Sequence, residues 1–175
     1  RLLVYIDHAY NRHFETQTAL FGAFECRNDP EAAEALFTSG ATFARSHGMT
    51  EILGPIHPVA EFWGILLGPF DEPPVFLTPH NHPYYDELIL GTGFEKTKDL
   101  YAYEVNRNNA YEIPERIHRF IARLRARRPS ISVRRFRRDR LIEEAEHIWR
   151  LSNEGYTGNW GYVPVGHDVM IDMVK

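Results

Sequence analysis

Residues 21–37 read FGAFECRNDPEAAEALF, an apolar, strand-like run that meets a polar turn and passes into a helix. Asp29 followed by Pro30 marks the helix start: a short acceptor side chain for unpaired N–H groups, then a residue whose missing N–H does no harm at the first position. Ala33, Leu36, Phe37, Gly40, Ala41 and Ala44 trace one face from there to a stop at His47-Gly48. Two readings of the turn stay open. The helix N-terminus can hold an anionic ligand, or Asp29 can satisfy the same N–H groups itself.

Working outward, residues 2–6 and 19–26 are apolar, aromatic-rich runs that predict two antiparallel strands with NRHFETQT as a hairpin-like connection. Residues 51–53, EIL, predict a short strand ending at Gly54-Pro55. Residues 56–83 predict a long irregular segment, in which Phe62, Trp63, Ile65, Leu66, Leu67 and Phe70 are too apolar to be left in water. It is expected either to wall the acceptor side of a cleft, with Glu61, His57 and His80 as its polar groups, or to form a packed cover over the sheet. A second helix follows from about Pro83 to the Gly91/Gly93 pair, then FEKTKDLYAYEVN as a long strand.

Beyond it the chain changes character. Residues 1–105 carry 6 Lys+Arg against 15 Asp+Glu, a net of −9, whereas residues 106–175 carry 14 against 9, a net of +5. Eleven arginines lie between Arg116 and Arg140. Ile117, Phe120, Ile121 and Leu124 sit among them at helical spacing, so the block reads as an amphipathic helix whose arginines face solvent. Few aromatics interleave the arginines, and nucleic acid is not an expected partner. ISVRRFRR predicts a fresh strand, and RLIEEAEHIWRLSNEGY a fresh helix with Leu141, Ala145, Ile148 and Trp149 on one face. GHDVMIDMVK also reads as helical, and GYTGNWGYVP either lines a pocket or caps a core.

The 175 residues are 43% hydrophobic, enough to bury roughly two-thirds of the surface of the unfolded chain. No run reaches the roughly 18–20 apolar residues that span a bilayer, and the start lacks the features of a signal peptide. A cytoplasmic protein without a membrane partner is therefore expected, and the single Cys26 fits a reducing compartment. Neither end reads as a natural domain terminus, so the chain is expected to be a fragment. His80-Asn81-His82 has no third ligand at metal-site spacing, and no metal is expected.

The order strand, turn, helix with a His47-Gly48 stop, short strand, then N-x-P-x-x-x-x-L-x-x-x-x-G-F over Asn81, Pro83, Leu88, Gly93 and Phe94, resembles the second half of the GNAT acyl-CoA N-acyltransferase fold. FGAFECRNDPEAAEALF, ILGPIHPVAEFWGILLGPFDEPP and YYDELILGTGFEKTKDLYAYEV resemble bacterial GNAT-like proteins with two such units. The resemblance implies an α/β (α+β) fold with a mixed, mostly antiparallel sheet flanked by helices. It divides the chain into a C-terminal GNAT half at 1–105, a linker and helix at 106–129, and the start of a second unit at 130–175.

It also implies an acyl-CoA-dependent N-acyltransferase, with acetyl-CoA or another acyl-CoA as co-substrate and a small-molecule or peptide amine as acceptor; a homo-oligomer is compatible with it. The acyl donor would lie between strands that splay apart, against Phe24, Cys26, Arg27, Asn28 and Asn81. CRNDPEAAEA lacks the glycines of the family's phosphate turn, and Ile89 stands where many members place a proton-donating tyrosine, which leaves Tyr84 and Tyr85 as substitutes. Glu25 and His57 are the titratable groups placed to act as general base. A catalytically silent binding or scaffold module is the alternative.

Overall fold

Thr18–Gly22 is buried at every residue and forms the central strand β2 of a three-stranded sheet. A computed structural model describes residues 1–58, 63–74, 76–103, 112–130 and 132–175. The fold is mixed α/β and divides into two units, Arg1–Leu100 and Tyr101–Lys175. Among the described residues no helix is long and apolar enough to cross a membrane.

In the first unit β1 (Leu3–Tyr5) pairs antiparallel with β2, Val4 opposite Phe21. β3 (Glu51–Leu53) pairs with β2 in parallel, Ala19 opposite Ile52. The β1–β2 connection is not the expected hairpin: it holds helix α1 (His8–Phe14). Asp7 caps α1 by accepting from the N–H groups of Ala9 and Tyr10 at 2.8 and 3.0 Å. Asn11 on α1 then fixes the start of β2, accepting from the Thr18 N–H and donating to the Thr18 carbonyl.

Parallel strands need a crossover, and α2 (Pro30–Ser46) supplies it between β2 and β3. Ala33, Phe37, Gly40 and Ala44 are its buried positions, and three of the four are small. Closeness is the reason at Gly40, where a Cβ would lie 2.8 Å from Val4 Cγ2. Phe21 packs edge-on against Phe37 and Phe94, each with ring centroids 5.2 Å away. Phe24 joins them through Phe37 at 5.2 Å and Tyr85 at 5.0 Å. α3 (Tyr85–Gly91) closes this aromatic core with Tyr85, Leu88 and Ile89.

The predicted strand after α3 does not form in the described residues 94–103; its Glu104 and Val105 lie outside them. Leu100, Tyr101 and Tyr103 are 56%, 76% and 88% exposed, because alternation makes a strand only where a sheet edge receives it.

The second unit holds α4 (Glu115–Arg127), α5 (Leu141–Tyr156) and α6 (His167–Val174). Residues 132–137 are not the expected strand, and Ile131 lies outside the described residues. Their arginines turn to α5 instead: Arg134 and Arg137 each reach Glu144, at 2.8 and 2.7 Å. Those two guanidinium hydrogen bonds hold the Glu144 carboxyl down at about 2. The predicted apolar face of α5 is only partly covered, since Leu141 and Ile148 are 45% and 54% exposed. The GYTGNWGYVP loop is tied to α5: Asn153 donates to the Val165 carbonyl and accepts from the Tyr162 hydroxyl, and Trp149 Nε1 donates to that same carbonyl.

Candidate functional site

Just past β2 the chain leaves the sheet. Ala23 adopts φ 47°, a left-handed conformation that costs a non-glycine residue about 1–2 kcal/mol. The kink leaves Ala23 exposed, buries Phe24 in the aromatic core and brings Glu25 to the rim of a cleft. At the end of β3, Gly54 faces Phe21 so closely that a Cβ would meet the Phe21 carbonyl oxygen at 2.5 Å. Beyond it, Ile56 N–H still donates to that oxygen at 2.7 Å, and the Tyr5 hydroxyl donates to the Ile56 carbonyl. The strand ends are thus held together as far as Ile56, and the cleft opens past them.

This cleft, about 340 Å³, lies wholly within the first unit. Its sheet side is Gly22, Ala23, Phe24 and Glu25; its far side is Pro55 and His57, Gly64 and Ile65, and residues 78–81. Tyr85 forms part of its lining. Glu25, His57, Asn81 and Tyr85, 60 residues apart in sequence at the extremes, therefore meet at one place. The volume falls at the low end of small-molecule sites.

The Tyr85 hydroxyl donates to Glu25 Oε2 at 3.0 Å and accepts from the Cys26 N–H at 3.3 Å. Burial, with the Glu25 carboxylate adding to it, raises the Tyr85 phenol above its ordinary pKa, so it keeps its proton and serves as donor to Glu25. Tyr84 donates to the Cys26 carbonyl at 3.1 Å and stacks on His82. Both tyrosines brace the backbone after the kink, and Cys26 packs against the core between them.

Asn81 has its amide engaged. Its Oδ1 accepts from the Leu66 N–H at 2.7 Å, and its Nδ2 donates to the carbonyls of Leu66 and His82. It clamps two parts of the cleft wall to each other. His80 lines the cleft from an exposed position. Glu61 and Phe62 lie outside the described residues. Leu67, expected to be covered, is 55% exposed.

The turn that opened the sequence reading is occupied from within. Asp29 Oδ1 accepts from the Ala32 N–H at 3.1 Å, and Arg27 pairs with Asp29 Oδ2 at 2.7 Å. The Ala32 N–H and then Arg27 lower the Asp29 pKa. Arg27 and Asn28 are exposed beside it. Asp29→Ala is expected to lower the melting temperature by a few degrees through loss of the cap. An unchanged melting temperature together with tighter binding of coenzyme A would mean that Asp29 had been blocking a phosphate site.

Ile65 lines the cleft as expected, whereas Ala23, Pro55 and Thr78 were not singled out as cleft residues. Nothing in an alanine signals positive φ. Pro55 follows Gly54 directly and was readable as the place where the chain leaves the sheet. Among the described residues, no group of three or more His, Cys, Asp or Glu gathers as a metal site.

No family model matches the chain, and no solved structure matches it. The GNAT resemblance therefore rests on the motifs quoted above. The chain is similar to Protein YghO of Escherichia coli (strain K12), 28% identical over 165 residues, which are 94% of this chain and 41% of that protein. It is also similar to the bacterial ceramide synthase of Caulobacter vibrioides, 30% identical over 148 residues, which are 82% of this chain and 37% of that protein. The chain thus spans well under half the length of the curated relatives it matches.

Proposed function

We propose that the chain is part of an acyl-CoA-dependent N-acyltransferase of GNAT type, and that its acceptor is a long-chain amino alcohol. The likeness to a protein named as a ceramide synthase carries this reading. A ceramide is the amide of such an amine with a fatty acid, so making it is an N-acylation.

In the proposed step the amine nitrogen attacks the thioester carbonyl, a C–N bond forms and the C–S bond breaks. As the C–N bond forms, the nitrogen becomes acidic enough for a carboxylate to take its proton. Glu25 is the proposed base, with one oxygen oriented by Tyr85 and the other left to receive the proton. His57 lines the same cleft and is the second group able to do so. The proton ends on the departing thiolate. Because Asp29 fills the start of α2, the donor's phosphates are not proposed to sit there.

The test is to incubate the protein with palmitoyl-CoA and sphinganine, following thiol release with a thiol reagent and the amide by mass spectrometry. Both products are expected in equal amounts. If no acyl-CoA of any chain length releases thiol with any long-chain amine, the cleft belongs to a catalytically silent module, a reading already favoured at α2 by its self-capped N-terminus.

A further inference from the structure

α4 carries no buried residue. Its apolar strip, expected to pack inward with the arginines outward, is uncovered: Ile117, Phe120, Ile121 and Leu124 are 39%, 60%, 38% and 37% exposed. On a helix of 3.6 residues per turn, Arg116, Arg123 and Arg127 run along one border of that strip and Arg125 along the other. No described residue forms an ion pair with any of these arginines. Glu115 is the only acid between residues 113 and 138.

We propose that α4 lies in the plane of an anionic lipid surface, its apolar strip at the boundary of headgroups and acyl chains and its arginines on lipid phosphates. The inference rests on α4 alone and stands whatever the cleft does. An apolar strip bordered by cations is what an interfacial helix requires, and arginine's planar fork suits phosphate oxygens. A nucleic acid would use the same arginines but leave Ile117, Phe120, Ile121 and Leu124 in water. The lack of a spanning segment bears on crossing a membrane, not on lying upon one, so the expectation of no membrane partner gives way here.

Co-sedimentation of the 175-residue chain with vesicles tests this, comparing phosphatidylcholine alone with equal parts phosphatidylcholine and phosphatidylglycerol. Binding to the anionic vesicles is expected to be tighter by about tenfold or more, since each arginine near the surface adds to it. Phe120→Glu and the double change Arg123→Glu, Arg127→Glu should each weaken it by about tenfold or more, with the melting temperature unchanged because all three side chains are exposed. Equal affinity for both vesicles, or no binding to either, overturns the proposal. So does a Phe120→Glu variant that binds as well as the parent, or a gel shift showing that the chain takes RNA or DNA while ignoring lipid. Failure of a longer protein containing this chain to bind the same vesicles would show that another segment covers the strip, and would equally refute it.

Discussion

For the N-acylation proposed above, Glu25→Gln is expected to reduce amide formation from acyl-CoA and amine by about a hundredfold or more, the range for losing a positioned general base. Glutamine keeps the size of the side chain, and its carbonyl can still accept the Tyr85 hydroxyl, so the 3.0 Å contact and the cleft survive. Only the capacity to take a proton is lost. The melting temperature should not move, since Glu25 is exposed and the core beneath is untouched. Tyr85→Phe should cost less in rate, because it leaves the proposed base in place but frees its carboxylate to swing and strips the Cys26 N–H of its acceptor. Steady-state kinetics by thiol release separates the two. Should Glu25→Gln keep half the parental rate while His57→Gln abolishes it, the base is His57.

The second large effect is on stability. Phe21→Ala should destabilise the first unit by about 3–5 kcal/mol, the usual loss for a phenylalanine deleted from a packed core. Phe21 is 0% exposed and touches the rings of Phe37 and Phe94. It also presents the carbonyl that receives Ile56, so a cavity at this position undermines the junction from which the cleft opens. Against a typical total stability of about 5–15 kcal/mol, such a loss leaves little reserve. In urea the midpoint should fall sharply with an unchanged slope. A shift below about 1 kcal/mol would mean that the aromatic cluster is loosely packed and collapses around the missing ring.

Local signals explain what was readable in the sequence. α2 announces itself through Asp29-Pro30 and its small-residue face, and β3 through three apolar-biased residues closed by Gly54-Pro55. α1 has only seven residues and no apolar period, and its one clear local sign is the Asp7 cap. The predicted strand after Gly93 had an alternating pattern, and the one at 131–138 opened on β-branched Ile131 and Val133. A strand, however, is a relation between two segments, and one sequence window cannot supply the second. The residues of the cleft could be named because they end elements on either side of a long loop. Their roles depended on pairings far apart in the chain: Tyr85 with Glu25, and Asn81 with Leu66.

That last pairing bears on how the cleft meets a ligand. A loop running from residue 56 to 83 would ordinarily fluctuate, and any molecule it enclosed would have to arrest it. Asn81 divides it, holding Leu66 by both N–H and carbonyl. The wall facing Glu25 is thereby preorganised, its conformational entropy lost during folding and not again at binding. Association with this cleft should therefore resemble docking into a formed site, with a small entropy penalty for the protein, and Asn81→Ala should slow ligand capture by loosening that wall while leaving Glu25, His57 and Tyr85 in place.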